Sequence, residues 1–386
     1  MSRRSSVAAG RASPGAASPG WASLGWISLG LAALPLAIAT ANLFLLRRPD
    51  PASDRPSVSV LIPARDEEAN IADAVAHVLA NRDVEIELLV LDDGSTDATA
   101  AILAAIDDPR LAVLRGEGVL PAGWSGKQYA CKRLAARARH DLMVFVDADV
   151  RLAPDALVRL AGAMQADASL GLASGVPLQV TRSWSERLLL PLIHLLLFGY
   201  RPIWLDRGKT MPGFAAGCGQ LFVARRQAYL ATGGHDAIRA SLHDGLTLPR
   251  AFRRAGFATG LFDATSLASC RMYSNAADLW SGLGKNATEG MATTRALPLW
   301  TVLLGGGHVL PFLLLLRPGP RSRPAALAAC CSLGLRLLLA ARFRHSLRGA
   351  MLHPIGVAAL LARQWSALAA ARAGRPTQWR GRTYQP

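Results

Sequence analysis

Cysteine and acidic residues are scarce in this sequence. Its 386 residues include five cysteines, with no CxxC pair and no spacing typical of a metal site. This scarcity excludes a disulfide framework, and it indicates reduced, mostly buried thiols in a protein that faces the cytosol. Acidic residues number 27 against 43 lysines and arginines, so the formal net charge is +16.

A nucleic-acid signature is also missing. The excess of positive charge is typical of proteins that bind nucleic acid, but no homeodomain, zinc-finger or aromatic RNA-binding motif accompanies it. Many arginines instead flank apolar segments, where they would meet anionic headgroups and follow the positive-inside bias. These are Arg47, Arg48, Arg321, Arg323, Arg342, Arg344 and Arg348. We therefore expect a membrane as partner and no nucleic acid.

Charge is absent from one long apolar run. Residues 22–46 carry no charged side chain over a length that crosses a hydrocarbon core of about 30 Å. A cleavable signal peptide is the alternative, because "ATA" at 39–41 resembles a processing site, but the run is longer than the usual apolar region of such a peptide. Three further candidates, 296–317, 324–341 and 350–371, are shorter or interrupted, and we expect one of them to be re-entrant or interfacial.

Composition divides the chain into five parts. With 51% hydrophobic residues, the chain can bury a full-sized core and still have apolar sequence left over. The predicted parts are a disordered Ser/Gly/Pro/Ala-rich tail (1–21), a transmembrane helix (22–46), a soluble domain (55–290), two to three transmembrane or re-entrant helices (296–372) and a basic tail (373–386).

The soluble domain alternates strand-like runs with helical periodicity. "SVSVLIP" (57–63) precedes a helical pattern at 67–80, and "EIELLVLDD" precedes "TDATAAILAAI". "RLAVLRG" and "LMVFVDAD" add two strands, with the helix-like "KQYACKRLAARAR" between them. This order predicts an α/β fold in which a parallel sheet carries helices on both faces and ligands bind beyond the carboxyl ends of the strands.

Acidic clusters follow three of these strands. "PARDEE" closes the first strand, "DDGSTD" the second and "DAD" the fourth. A single cluster of this kind is equally typical of a solvated turn. Three clusters at one edge of a sheet are less frequent by chance. In "FVDADV", alternate positions of an extended strand point the same way, so two carboxylates would repel each other unless a divalent metal joined them. We expect the crevice to be lined by Asp92, Asp93, Asp97, Asp147 and Asp149.

Carboxylates in this number suit a nucleotide whose diphosphate arrives with a metal ion. Hard oxygen ligands bind Mg²⁺ or Mn²⁺, and the metal neutralises the phosphates. Lys127, in "GWSGKQYA" at a predicted loop-to-helix junction, offers a positive charge to the diphosphate, reinforced by the helix N-terminus. A surface lysine is the alternative interpretation of this residue.

The motifs resemble those of family 2 glycosyltransferases with the GT-A (Rossmann-like) fold. The resemblance is carried by "SVLIPARDEE", "LDDGSTDAT", "FVDADV" and the later "HDG". "GWSGKQYAC", "YLATGGHD", "RMY" and "WRGRTY" are similar to the bacterial diaponeurosporenoate (carotenoid) glycosyltransferase subfamily. The resemblance covers nearly the whole chain after residue 55.

The resemblance implies a role for each matching position. Asp92 or Asp93 would bind the uridine, and Asp147 and Asp149 would form the metal-binding pair, with Asp149 as the direct ligand. Asp244 takes the position of the catalytic base, and His243 stands where the family usually has glutamate; a helix-capping Asp244 beside a bystander histidine is the alternative. The donor-binding residues we expect are Pro63, Arg65, Glu67, Asp92, Asp93, Asp97, Lys127 and Asp147.

Two absent motifs narrow the function. No QxxRW sequence is present, which argues against a processive polysaccharide synthase, and no GxGxRL opening is present, which argues against a nucleotidyltransferase. The apolar stretch 184–205, with tryptophans near its ends, is equally typical of a buried core helix and of an interfacial helix that admits a lipid sideways.

We therefore expect a multi-pass enzyme of the inner membrane with its catalytic domain in the cytoplasm. It would move a sugar, with inversion, from a UDP-sugar to a membrane lipid, a carotenoid or other polyisoprenoid. Alternatives are transfer to a hopanoid or other lipid, and a catalytically silent nucleotide-binding membrane protein. Because we predict that one C-terminal segment fails to span, Trp379, Arg380 and Arg382 should lie on the cytosolic side, near the active site.

Overall fold

The computed structural model of the protein describes residues 19–116, 119–205, 211–316, 322–379 and 382–384. Residues 1–18 of the predicted disordered tail lie outside these ranges. Arg321 and Arg380 also lie outside them. Residues 19–21, assigned to that tail from the sequence, belong instead to the first helix, α1 (Pro19–Leu45).

The domain predicted at residues 55–290 alternates strands and helices, as expected. Its first half contains β1 (Ser57–Ala64), α2 (Ile71–Leu79), β2 (Glu85–Asp92), α3 (Thr99–Ala104), β3 (Leu111–Arg115), α4 (Gly126–Arg137), β4 (Leu142–Val146), β5 (Val150–Leu152) and α5 (Ala156–Ala166). Its second half contains β6 (Leu170–Gln179), α6 (Trp184–Leu189), α7 (Leu192–His194), β7 (Leu221–Arg225), α8 (Arg226–Thr232), α9 (Asp244–Arg254), β8 (Ala258–Cys270) and α10 (Ala276–Lys285).

One sheet of eight strands organises this domain, in the order β3-β2-β1-β4-β7-β6-β8-β5. The first four strands are parallel, which brings the carboxyl ends of β1, β2 and β4 to one edge. The prediction of a wholly parallel sheet is wrong for the other half, because β7 runs antiparallel to both β4 and β6, and β5 runs antiparallel to β8. The α/β class is confirmed, but the sheet is mixed.

Apolar layers cover both faces of the sheet. Along β1, Val58, Val60 and Ile62 pack towards α2, whereas Leu61 points to the opposite layer with α4. This alternation follows from the pleat, and burial of each such side chain contributes roughly 1.5–3 kcal/mol. The five cysteines are free, as predicted, although Cys330 is exposed and fewer of the thiols are buried than expected.

A helical layer follows the sheet in the sequence. It contains α11 (Ala296–Trp300), α12 (Gly306–His308), α13 (Leu310–Leu315), α14 (Arg323–Arg342), α15 (Leu347–Met351) and α16 (His353–Arg372), before the short strands β9 (Thr377–Trp379) and β10 (Arg382–Tyr384). Helix α1 packs against α14, and a shared apolar cluster joins both to α7 and α16. The C-terminal elements therefore continue the fold of the soluble domain.

Within the described ranges, two helical segments, 23–45 and 323–342, are long and apolar enough to cross a membrane. The predicted segment 296–317 is instead broken into α11, a π-helical turn at Thr301–Gly305, α12 and α13. Its glycines and prolines account for the interruption. The predicted segment 350–371 folds mainly as α16, which does not reach the same apolar threshold.

The apolar stretch 184–205 also differs from a single helix. It forms α6 and α7, followed by a π-helical turn at Leu195–Gly199. Leu195 and Phe198 are fully buried, whereas Trp184 and Trp204 at the two ends are 55% and 47% exposed. The middle of the stretch is therefore buried, as in the core-helix interpretation. Its two terminal tryptophans are exposed, as in the interfacial interpretation.

Candidate active site

The two aspartates of "DAD" lie in a turn rather than in a strand. Strand β4 ends at Val146, and the Val150 N–H donates to the Asp147 carbonyl at 3.0 Å, which closes the turn before β5. Strand alternation was therefore the wrong reason for pairing them. Both side chains nevertheless line one large cavity at the carboxyl edge of the sheet.

Lys127 joins two of the predicted carboxylates. It is the second residue of α4, and its Nζ lies 2.6 Å from Asp147 Oδ1 and 2.8 Å from Asp244 Oδ2. It also donates to the Gly219 carbonyl at 3.1 Å. Burial lowers the pKa of Lys127, but the two carboxylates outweigh it and raise that pKa well above its ordinary value. One ammonium thus forms ion pairs with two carboxylates.

Asp149 is the carboxylate that lacks such a partner. Its Oδ1 is buried and accepts no hydrogen bond from the described part of the chain. Burial raises the pKa of this carboxyl to about 7, and the charges of Asp147 and Glu67 contribute in the same direction. An unpaired buried carboxylate oxygen is costly unless a cation binds it.

This pair of aspartates fits a hard divalent cation. Across the described ranges, no group of three acidic, histidine or cysteine side chains forms a metal cluster. Two carboxylates are nevertheless sufficient where a substrate diphosphate completes the coordination, as is usual for Mg²⁺. The orphaned oxygen of Asp149 is the observation that favours such an ion.

The end of β1 contributes Pro63 to the cavity wall, and the loop after it contributes Arg65 and Glu67. The Arg65 guanidinium donates to the Asp93 carbonyl at 2.6 Å, which connects this loop to the end of β2. Asp93 also lines the cavity. These predicted residues therefore lie close together.

Two of the predicted aspartates do not reach the cavity wall. Asp92 is buried and its Oδ1 accepts the Ser95 N–H at 3.0 Å. Asp97 accepts the Thr99 N–H and the Glu68 N–H, both at 3.0 Å, and these bonds lower its pKa despite the opposing effect of burial. Both carboxylates shape the loop and are absent from the cavity lining.

The predicted base begins a helix. Asp244 is the first residue of α9, and its Oδ1 accepts the Gly245 N–H at 2.8 Å. Burial acts to raise the pKa of Asp244, but the adjacent Lys127 lowers it to about 2. Asp244 is therefore fully charged at neutral pH.

His243 precedes that helix and also lines the cavity. Burial lowers the pKa of its imidazole, although the charges of Asp244 and Glu289 act in the opposite direction. The loop around it is fixed by Glu289, whose carboxylate accepts the Leu242 N–H at 2.5 Å and the Ser241 hydroxyl. No sequence motif identifies Glu289, which lies 45 residues after Asp244.

Gly219 is a second site residue that was not predicted. A Cβ built on this residue would lie 2.1 Å from Asp244 Oδ1, a separation that real atoms do not adopt. The absence of a side chain at this position is therefore what allows Asp244 to approach Lys127. The signal was present in "GCGQ" but had no motif to identify it.

The C-terminal strand β10 reaches the same cavity. Arg382 Nη1 lies 2.5 Å from Asp93 Oδ2, and the Tyr384 hydroxyl lies 3.5 Å from the Gly126 nitrogen. The structure thus brings Arg382 to the site, where the sequence analysis expected it. Trp379 belongs to β9, and Arg380 lies outside the described residues.

Apolar side chains form the remaining wall of the cavity. Its volume is about 640 Å³, and it extends continuously from Asp147, Asp149 and Asp244 to residues of the helical layer. The apolar lining residues include Leu189, Leu192, Ile193, Leu196, Leu197, Trp300 and Leu360. A charged end and an apolar end therefore share one space.

Comparison with known proteins identifies a family over the first seven strands. Residues 59–224 match the family model described as glycosyl transferase family 2. Curated relatives include the 4,4'-diaponeurosporenoate glycosyltransferases of Staphylococcus aureus strains MRSA252 and USA300, each 27% identical over 256 residues. The match covers 63% of this chain and spans 65% of the length of those relatives.

Solved structures are similar at lower identity. A mannosyltransferase from Pyrobaculum calidifontis, in complex with GDP-Man and Mn²⁺, is 18% identical with a TM-score of 0.49, over 90% of this chain and 98% of that one. Glucosyl-3-phosphoglycerate synthase from Mycobacterium tuberculosis, in complex with Mn²⁺, uridine diphosphate and glucosyl-3-phosphoglycerate, is 21% identical with a TM-score of 0.42, over 60% and 78% of the two chains.

Proposed function

Because this chain contains a glycosyl transferase family 2 domain at residues 59–224, we propose that it transfers a sugar from a UDP-sugar to a lipid at a membrane. One observation carries the proposal: the cavity that contains the carboxylates and Lys127 continues into an apolar space between helices. A polar cleft would suffice for a water-soluble acceptor, whereas an apolar wall suits a lipid chain.

The charged end of the cavity suits the donor. Lys127, Arg65 and Arg382 line it together and offer positive charge to a diphosphate. Asp93 lies beside Arg382 at the end of β2, where its carboxylate can accept hydrogen bonds from a uracil or ribose. This arrangement supports the donor-binding roles of Pro63, Arg65, Glu67, Asp93 and Lys127, while Asp92 and Asp97 would support the site from behind.

Asp147 and Asp149 would hold Mg²⁺ or Mn²⁺. When bound, the ion supplies positive charge that stabilises the departing diphosphate, a contribution of several kcal/mol. Lys127 contacts Asp147 with its ammonium and so adds a second positive charge beside the same leaving group. The protein's own contribution is the placement of these charges in a partly enclosed cavity.

The acceptor oxygen attacks the anomeric carbon from the face opposite the diphosphate, so the configuration inverts and no covalent enzyme intermediate is needed. Asp244 is the residue proposed to face the acceptor. While Lys127 contacts it, Asp244 has a pKa of about 2 and is a weak general base, because a proton moves to it with little driving force. A carboxylic acid acceptor is already ionised at neutral pH and needs no base.

We therefore assign a carboxylate-bearing polyisoprenoid as the acceptor class. The similar Staphylococcus aureus proteins are named for a carotenoid carboxylate, which supports a pre-ionised acceptor. In this assignment Asp244 orients the acceptor and balances the charge of Lys127, and His243 contributes a neutral imidazole to the same wall.

A membrane arrangement follows from the helix ends. Arg342, the last residue of α14, forms a 2.5 Å ion pair with Asp263 of β8, so this end of a candidate span contacts the catalytic sheet. Arg382 meets the donor site after α16. We propose that α1 and α14 cross the membrane, that 296–316 crosses as a broken segment, and that α16 lies at the surface, with the catalytic domain in the cytoplasm.

The test measures transfer with full-length protein in detergent or vesicles. Each of several UDP-hexoses would be offered with a polyisoprenoid carboxylic acid, and mass spectrometry would follow the glycosylated lipid. Lipid extracts from a host with and without the gene would identify the natural product. Transfer to water-soluble acceptors with no lipid product would refute the proposal.

A variant of the apolar wall separates acceptor from donor binding. Leu196→Asn places an amide in the apolar part of the cavity, and we expect loss of transfer to lipid with UDP binding unchanged. Leu230→Asn is the matched control, because Leu230 is 63% exposed and absent from the cavity lining. Equal activity of the two variants would contradict a lipid path through this wall.

A further inference from the structure

A second pocket lies between the catalytic sheet and the helical layer. It is bounded by the end of β6 and by the turn that joins α14 to α15. Its polar lining consists mainly of Gln179, Thr181, Arg187, Arg344, His345 and Arg348. No residue lines both this basic pocket and the large cavity, so the two are separate spaces.

The basic pocket concentrates positive charge. Arg187, Arg344 and Arg348 all contribute to its lining. Over the described part of the chain, none of these three arginines forms an ion pair with a carboxylate. Three guanidinium groups around one concavity repel each other unless an anion lies among them.

His345 adds a buried donor to the same pocket. It is 9% exposed, and its Nδ1 lies 3.0 Å from Arg336 Nη1, which can only donate. His345 Nδ1 therefore accepts, and the imidazole proton is on Nε2. That Nε2 is buried and has no hydrogen-bond partner among the described residues. The imidazole therefore forms the inner wall of the pocket, behind the arginines that line it.

Arg336 lies directly behind this histidine. It is 1% exposed, and its Nη2 is also buried without a hydrogen-bond partner in the described ranges. A buried guanidinium in a candidate membrane helix is costly and marks a functional position. The positive charge of Arg336 therefore adds to the field at the pocket.

Backbone strain points to the same turn. Arg344 has a φ of +55°, a left-handed conformation that glycine adopts more readily than arginine. A non-glycine residue in this conformation is retained against a cost of about 1 kcal/mol or more. Its guanidinium in the pocket lining provides a reason for keeping the arginine.

Exposed apolar side chains continue from the rim of the pocket. Leu347 lines the pocket and is 61% exposed. Met351, at the end of α15, and Ile355, in α16, are 59% and 56% exposed. The pocket itself begins just after α14, a helix apolar enough to cross a membrane. A phospholipid combines a charged headgroup with apolar acyl chains. The end of this helix offers a charged site of headgroup size beside an exposed apolar strip, which matches both parts.

We propose that the basic pocket binds an oxyanion of the phosphate class and that the headgroup of an acidic phospholipid supplies it. The phosphate would accept hydrogen bonds from the guanidinium groups of Arg187, Arg344 and Arg348. The acyl chains would lie along Leu347, Met351 and Ile355. This site is independent of the glycosyl transfer proposed above.

The experiment titrates full-length protein in detergent with dioleoyl phosphatidylglycerol, dioleoyl phosphatidylcholine or inorganic phosphate, and follows thermal unfolding. We expect phosphatidylglycerol to raise the melting temperature, while phosphatidylcholine does not. In Arg344→Gln/Arg348→Gln the apparent Kd for phosphatidylglycerol should rise about 25-fold, at about fivefold for each arginine. Arg137→Gln/Arg239→Gln removes the same charge from exposed positions elsewhere and should change the Kd less than twofold.

The three titrations distinguish a lipid headgroup from free phosphate as the source of the anion. Stabilisation by inorganic phosphate at equal concentration would overturn the lipid source and leave a site for free phosphate. No stabilisation by either anion, or the same loss of affinity in both double variants, would overturn the site itself. If Arg344→Gln/Arg348→Gln does not fold, Arg187→Gln should weaken phosphatidylglycerol binding about fivefold, and an unchanged Kd would overturn the proposal.

Discussion

Arg382 Nη1 lies 2.5 Å from Asp93 Oδ2, although 289 positions separate the two residues in the sequence. Strand β10 thus adds a cation to the donor site formed by the strand ends of the sheet. We predict that Arg382→Gln weakens UDP binding about tenfold, because one charge-assisted hydrogen bond is removed. Isothermal titration in the presence of Mn²⁺ measures it, and the exposed Arg375→Gln is the control. Tighter binding in Arg382→Gln would instead mean that the nucleotide must displace this arginine.

Asp149→Asn tests the metal pair. The substitution removes a buried charge that burial and neighbouring carboxylates disfavour, so the metal-free protein should be at least as stable as the wild type. The variant should lose most of its Mn²⁺-dependent UDP binding, and it should transfer no sugar. Asp141→Asn, at an exposed position outside the cavity, should leave both unchanged. Unaltered metal dependence in Asp149→Asn would leave that residue with a structural role in the turn.

Gly219→Ala tests the approach of Asp244 to Lys127. The added Cβ would lie 2.1 Å from Asp244 Oδ1, so the carboxylate must move away. A displacement of about 1 Å can cost about 10²-fold in rate, and we expect a fall in kcat of that order with little change in UDP affinity. In Gly334→Ala, outside the cavity, the Cβ meets no atom within 4 Å, so its kcat should match the wild type. Equal kcat values for the two variants would contradict a strict position for Asp244.

The acceptor class predicts the effect of Asp244→Asn. The pKa of Asp244 is lowered to about 2, so protonation removes its charge only as the pH falls towards that value. Between pH 5.5 and 9 Asp244 stays ionised, so its titration should cause no change in kcat over that range. With a carboxylic acid acceptor we expect a loss of less than about tenfold. With a matched alcohol we expect about 10²-fold or more, because proton removal is then required.

The comparison of the two acceptors decides between these roles. A loss of about 10³-fold or more with the acid acceptor would assign Asp244 as a general base for both substrates. The measurement is kcat of wild type and Asp244→Asn with each acceptor across the same pH range.

The parallel half of the fold and most of the charged site were predictable from sequence. The strands β1, β2 and β4 each carry a long apolar run that ends in a polar cluster, and parallel strands bring such ends to one edge. Asp97 shows the limit of this reasoning. Its side chain satisfies loop N–H groups of Glu68 and Thr99, a choice that depends on local geometry rather than on residue type.

The mixed half of the sheet could not be predicted. The direction of β7 depends on where its flanking loops lead the chain, and no side-chain period records direction. Segment 296–317 reads as one apolar run, yet its π-helical turn and glycines break it. Glu289 and Gly219 act through tertiary contacts with Ser241 and Asp244, which a single sequence does not display.

The shared ion pairs of Lys127 carry a kinetic consequence. While its ammonium contacts Asp244, that carboxylate is occupied and cannot help to position an acceptor. A diphosphate competes for the same ammonium, so donor arrival should draw Lys127 away and release Asp244. The two substrates would then bind in a compulsory order, nucleotide sugar first. Such an order keeps the lipid from blocking the site before the donor has bound.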